Sequence, residues 1–192
     1  MTDCQVRLSG SGGQGLILSA GFLAETLVGE GHAVAQSQSY EPTSRGGLSR
    51  SDLVISDGTA DYPLVTALDW LVILDQCAVK ASAGMIRDDA MVITDSRLVS
   101  APPEGRFRLV ALPVTEAASA LGNKRVANLV ALGALIELSG LCALEHLEDV
   151  VKARMPATLR GVNIKALKCG RSLAAAARKN QIVPMELEHN PT

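Results

Sequence analysis

The stretch Gln5-Val6-Arg7-Leu8-Ser9-Gly10-Ser11-Gly12-Gly13-Gln14-Gly15-Leu16 changes its pattern twice within a few residues. Val6 and Leu8 share one face with polar residues between them, the period-two signature of a strand. Gly10 to Gly15 then satisfies G-x-G-x-x-G. From Leu16 to Gly29 the apolar residues Leu16, Ala20, Leu23, Ala24, Leu27 and Val28 recur at helical spacing, and Gly29 and Gly31 stop the run. A glycine-rich turn between a strand and a helix is where the motif has physical meaning, because free backbone N–H groups and the helix dipole favour an anion there. In this reading Gly10 permits a tight turn, Gly12 lets a phosphate approach the backbone, and Gly15 lets the helix pack close to the strand. The alternative is a tight strand-to-helix turn that holds no ligand.

Outward from this turn, strand-like and helix-like runs alternate. Strands are expected at Ala33–Ala35, Ser51–Ser56, Asp69–Leu74, Met91–Thr94 and Arg106–Leu112. A polar loop is expected over Gln36–Arg50 and a helix over Gln76–Met85. From Thr115 onward the pattern is helical, with Thr115–Leu121, the mostly apolar Lys124–Leu138, Leu144–Ala153 and Ile164–Lys179. Pro156 and Gly161 mark a break before the last of these. The expected fold class is α/β, a single Rossmann-like three-layer domain with a mainly parallel sheet, helices on both its faces and a helical C-terminal half. The domain is assigned to residues 1–180, and 181–192 read as a C-terminal arm or a disordered tail.

Composition narrows the function classes. The 192 residues carry 18 Lys plus Arg against 20 Asp plus Glu, and aromatic residues are only 3%. Neither a polybasic footprint nor a base-stacking platform is present, so no nucleic-acid partner is expected. The most apolar stretch, Val126–Leu141, is broken by Asn128, Glu137 and Ser139, so it reads as a buried helix and no membrane partner is expected. Cys4, Cys77, Cys142 and Cys169 form no C-x-x-C pair, so this chain is not expected to hold an iron–sulfur cluster or any other metal. Scattered, reduced cysteines with no apolar leader before them point to the cytoplasm. His32, His146 and His189 show no pairing in the sequence and receive no catalytic role.

Two common nucleotide sites are disfavoured. A dinucleotide site places a carboxylate at the end of the second strand, whereas that position reads Ala35-Gln36-Ser37-Gln38-Ser39. The Gly-Lys-Ser/Thr ending of a P-loop is absent. A second loop, Ser39-Tyr40-Glu41-Pro42-Thr43-Ser44-Arg45-Gly46-Gly47, offers a forked guanidinium beside bare glycine backbone, an arrangement suited to phosphate or carboxylate. Tyr40 can stack or donate a hydrogen bond. A solvated surface loop is the competing reading. Asp75 and Asn123 stand where helix-start residues are expected.

Gly10-Ser11-Gly12-Gly13-Gln14-Gly15 together with Gln38-Ser39-Tyr40, Pro42 and Arg45-Gly46-Gly47 resembles the γ subunit of 2-oxoacid:ferredoxin oxidoreductases. Leu121–Gly133 and Asn163–Gly170 are similar to later stretches of that family. The Arg45-Gly46-Gly47 and Ser49-Arg50-Ser51-Asp52 forms look most like its 2-oxoglutarate branch, although Tyr40-Glu41-Pro42-Thr43 departs from the Tyr-Gly-Pro-Glu of many relatives. The resemblance implies CoA-dependent oxidative decarboxylation of a 2-oxoacid, with electrons passing to ferredoxin through the complex. It implies α and β subunits, with δ in some assemblies, as partners that carry thiamine diphosphate and the iron–sulfur clusters. This chain would then firmly bind no cofactor and supply no catalytic residue. It would contact coenzyme A through Gly10, Ser11, Gly12, Gly13, Gln14, Gly15, Tyr40, Arg45, Gly46 and Gly47. A stand-alone nucleotide- or phosphate-binding module and a small flavin or dinucleotide oxidoreductase are the competing classes.

Overall fold

The period-two run forms β1 (Cys4–Ser11), and the apolar run after the glycines forms α1 (Leu16–Gly29). The computed structural model describes residues 3–41 and 47–182. The remaining strands are β2 (Ala33–Tyr40), β3 (Leu48–Ser56), β4 (Leu68–Ile73), β5 (Ile86–Asp95) and β6 (Arg108–Leu112). The remaining helices are α2 (Val114–Ala120), α3 (Ala127–Ser139), α4 (Leu144–Arg154) and α5 (Ala157–Ile182). Residues 183–192, expected to be an arm, lie outside the described residues.

The strands form one sheet in the order β2-β3-β1-β4-β5-β6. β1, β4, β5 and β6 are mutually parallel, whereas β3 runs antiparallel to both β1 and β2. The α/β class holds, with β3 as the one reversed strand. Side chains alternate across the sheet. Val6 and Leu8 of β1 and Leu53 and Ile55 of β3 enter the larger core, which also holds the buried residues of all five helices. The opposite face carries a smaller core that includes Leu71, Ile73, Ala78, Val79 and Val92. Short 3-10 turns at 76–78 and 83–85 and connecting loops cover that second face, where α-helices were expected.

The expected helix over 76–85 fails because Arg7 claims its backbone. Arg7 lies 1% exposed, and its Nε and Nη2 donate to the two carboxylate oxygens of Asp52, each at 2.7 Å. Its Nη1 also donates to Ser82 Oγ at 3.2 Å and to the Ala81 carbonyl at 3.4 Å. That carbonyl is turned toward the guanidinium, so the segment is held against the sheet as turns. The expected polar loop over 36–50 is also corrected, since most of it is strand. Tyr40 pairs with Ser49 and Gln38 with Ser51. β2 is an edge strand exposed on both faces, so its Gln-Ser alternation carries no apolar signal.

α3 is apolar nearly all round because it is sandwiched between the sheet and α5. Two glycines set that packing. A Cβ on Gly170 would lie 1.8 Å from the Val130 carbonyl oxygen, and one on Gly133 would lie 2.0 Å from the Leu167 carbonyl oxygen. The two helix backbones therefore touch. Gly161, expected to mark a break, sits within α5 with nothing near its missing Cβ, and the break falls at Pro156 alone. These environments predict opposite signs for one substitution. Gly170→Ala should lower stability by about 1–3 kcal/mol or more, since the obstacle is backbone. Gly161→Ala should raise it by up to about 1 kcal/mol through helix propensity. Thermal or urea unfolding of the two variants measures both.

Candidate functional site

The glycine turn lies at the carboxyl end of β1, where β1 meets β4. α1 leaves on one face of the sheet and the segment after β4 leaves on the other, which opens a crevice of the kind that holds ligands in α/β sheets. Gln14 bridges this crevice. Its Oε1 accepts from the Ser11 N–H at 2.8 Å, and its Nε2 donates to the Leu74 carbonyl at 3.1 Å. Gly10 makes room for that amide, because a Cβ there would lie 2.2 Å from Gln14 Oε1. The Gly12 N–H donates to the Gly47 carbonyl at 2.8 Å, which ties the first loop to the return of the second. A Cβ on Gly12 would make only an ordinary contact, at 3.6 Å.

Gly15 caps α1 in a left-handed conformation, φ 75°, with no side-chain cap. Its missing Cβ would lie 2.6 Å from Asn128 Nδ2, and that same nitrogen donates to the Gly15 carbonyl at 3.0 Å. Gly15 thus makes space for a side chain of α3, where the sequence suggested contact with the strand. Gly13 also has positive φ, 89°, and open space around it. Among the described residues, Ser9 Oγ and Asn128 Oδ1 are the buried side-chain polar atoms without a hydrogen-bond partner. They stand at the two ends of the loop. A buried polar atom left unpaired costs roughly 1–3 kcal/mol.

The structure brings Gly10, Ser11, Gly12, Gly13, Gln14, Gly15 and Gly47 together. Tyr40 ends β2 on the helical face of the sheet and is 67% exposed. Arg45 and Gly46 lie outside the described residues. Asp75 and Asn123 cap short turns as expected, accepting from the N–H groups of Cys77 and Arg125, each at 3.0 Å. Glu41, given no role from sequence, closes the β2–β3 hairpin by accepting from the Leu48 N–H at 3.1 Å. The histidines do find carboxylates. His32 Nδ1 meets Asp57 at 2.9 Å, and His146 Nδ1 meets Glu30 at 2.7 Å. Both pairs lie at the far end of α1 from the glycine loop. His189 lies outside the described residues. No sequence signal marked Asn128 as the partner of Gly15, since the two are far apart in the chain.

Among the described residues no group of three or more His, Cys, Asp or Glu side chains could hold a metal, and no helix is long and apolar enough to cross a membrane. Cys4 and Cys142 are buried, and burial pushes both thiols up to about 12. Cys77 is exposed beside the crevice, yet partial desolvation and its hydrogen bond with Asp75 push it up to about 11.

The family model for "Pyruvate ferredoxin/flavodoxin oxidoreductase" matches residues 5–173. The chain is 35% identical over 182 residues to "2-oxoglutarate synthase subunit KorC" of Archaeoglobus fulgidus, covering 94% of this chain and 93% of that one. The same-named subunit of Methanocaldococcus jannaschii is 38% identical over 88% of this chain and 93% of its own. "Ketoisovalerate oxidoreductase subunit VorA" of Methanothermobacter marburgensis is 30% identical over 93% of this chain, but only 37% of VorA is covered. Among solved structures, the γ subunit of a keto/oxoacid ferredoxin oxidoreductase from Geobacter sulfurreducens superposes with a TM-score of 0.80 at 36% identity, over 90% of this chain and 99% of that chain.

The fit of Gln14 over Gly10 predicts coupled effects. Gly10→Ala should cost about 1–2 kcal/mol alone by displacing the amide, and clearly less in a Gln14→Ala background, where the obstacle is gone. A double-mutant cycle in urea reads that coupling. Cys77 should react with iodoacetamide at pH 8 roughly 10-fold more slowly than an unperturbed cysteine, because its thiolate is scarcer and the greater nucleophilicity of a high-pKa thiolate offsets only part of that. Asp75→Asn should speed the reaction, as followed by mass spectrometry of the labelled peptide.

Proposed function

Because this chain belongs to the pyruvate ferredoxin/flavodoxin oxidoreductase family, we propose that it is the γ-type subunit of a cytoplasmic 2-oxoglutarate:ferredoxin oxidoreductase. The observation that carries this reading is end-to-end similarity to subunits named 2-oxoglutarate synthase KorC. The reaction is CoA-dependent oxidative decarboxylation of 2-oxoglutarate to succinyl-CoA and carbon dioxide, with two electrons delivered to ferredoxin. The partners are the α and β subunits, and a δ subunit where one is present. Thiamine diphosphate and the iron–sulfur clusters supply the carbanion and electron-transfer chemistry from those partners.

The residues of this chain do not fit either cofactor. Two of its four cysteines are sealed in the core. The nearest approach to a thiamine-diphosphate motif, Ser56-Asp57-Gly58, commits its carboxylate to His32. What the chain offers is an anion-binding turn. Ser11 and Gly12 spend their N–H groups on Gln14 and Gly47 and so hold the loop in shape. The N–H groups of Gly13, Gly15 and the first turn of α1 are then left to meet a phosphate of coenzyme A. Arg45 precedes Gly47 by two residues in the sequence, and a guanidinium is the forked donor suited to that same anion. Gly47 adds no side chain to that approach.

In the assembled enzyme, Arg45→Ala should raise the KM for coenzyme A about 10-fold, the value of one lost charge-assisted contact. CoA-independent decarboxylation of 2-oxoglutarate should be unchanged. Unchanged coenzyme A dependence would reject the role of Arg45. Preference for pyruvate or 2-oxoisovalerate over 2-oxoglutarate in the same assay would reject the branch, and a chain that purifies from native extract without larger partners would reject the subunit reading.

A further inference from the structure

α1 is 14 residues long and carries a single charged residue, Glu25. Its inner face is sealed in the core. Its outer face is not, since Leu18 is 46% and Val28 57% exposed. A helix this apolar on both sides normally has both sides covered. Beside it runs β2, the edge of the sheet, whose eight residues Ala33–Tyr40 contain no charge and no proline. Natural edge strands are usually guarded by Lys, Pro or a bulge against the addition of another strand. β2 has none of these guards.

Between α1 and β2 lies a hollow of about 650 Å³ lined by Leu18, Gly21, Phe22, Gln36 and Gln38. Its two charged neighbours, Glu25 and Arg154, neutralise each other at 2.9 Å. The hollow is therefore electroneutral and partly apolar, and it opens along a strand edge that no other described strand covers. We infer that this groove is the seat of an uncharged β-strand from the larger subunit, which extends the sheet at β2 and inserts an apolar side chain against Leu18 and Phe22. The inference rests on the subunit reading above.

A second copy of this chain, which presents Leu18 on this side, is the competing occupant, and the adducts of the test below separate the two. A larger partner chain fits the relatives, since in VorA the matching region is only 37% of the polypeptide. There the domain is continuous with much more chain, and a free-standing version has to meet that mass across a surface.

The test uses the assembled complex, co-expressed with its larger subunits. A photo-cross-linking amino acid is placed at Leu18 and, as a control, at Tyr62, which is 60% exposed in the loop between β3 and β4. Irradiation should join position 18 to the larger subunit at least 10-fold more efficiently than position 62, with the linked peptide mapping to an extended segment. Gln38→Lys, which adds a charge inside the groove, should weaken assembly about 10-fold while leaving the circular dichroism of this chain unchanged. An intact complex with no adduct from position 18, equal adducts from both positions, or an adduct between two copies of this chain would overturn the inference and leave the functional reading standing. Failure of the unmodified chain to assemble at all would overturn both.

Discussion

The backbone contact between α3 and α5 fixes the glycine loop from a distance. Gly133 and Gly170 let the two helices touch main chain to main chain, so α3 has little freedom to shift along or away from its partner. Asn128, one residue into α3, is thereby held in place, and its Nδ2 grips the Gly15 carbonyl. Gly15 sets the start of α1, and the turn before it is locked in sequence by Gln14 on Leu74 and by Gly12 on Gly47. Each step uses up a neighbour's space or hydrogen-bonding capacity. A loop rich in glycine is thus made rigid by what surrounds it, and a rigid loop gives up less entropy when it captures a ligand.

The reversed strand β3 explains why a dinucleotide-like turn does not make a dinucleotide site. In a doubly wound dinucleotide fold the second strand lies beside the first, and its terminal carboxylate reaches the ribose. Here β3 is inserted between β1 and β2, so the end of β2 is displaced by one strand. The insertion also brings Asp52 opposite Arg7 in the ladder. The two-pronged pair they form is nearly dry, so removing either partner would strand a buried charge. Ser49-Arg50-Ser51-Asp52, which carried part of the family resemblance, is therefore largely architectural. Ser51 receives Gln36, and Asp52 neutralises Arg7.

What the sequence made legible follows the physics of its signals. β1, α1 and α3 could be read because their periodicity reports on one sealed face or on complete burial. The turn caps Asp75 and Asn123 could be read because capping is local. Beyond Ala35, β2 reads as loop because an edge strand in contact with solvent on both faces has no reason to alternate apolar and polar residues. The helix expected over 76–85 was lost to Arg7, a residue some 70 positions away whose partners only the folded chain brings near. The same holds for Asn128 on Gly15 and for Glu30 on His146. Such contacts join residues over 100 positions apart and leave no trace in local pattern.

The site itself was visible as a motif, while its workings differ from those the motif suggests. A glycine triplet reads as an open cradle in which every N–H waits for phosphate. Here the Ser11 and Gly12 N–H groups are already spent on the protein, and Gly10 and Gly15 are glycines because Gln14 and Asn128 need the room. The donors that remain are confined to Gly13, Gly15 and the mouth of α1, which narrows the place where charge can settle. A glycine turn with this few free donors is therefore shaped by its neighbours in the fold as much as by its own sequence.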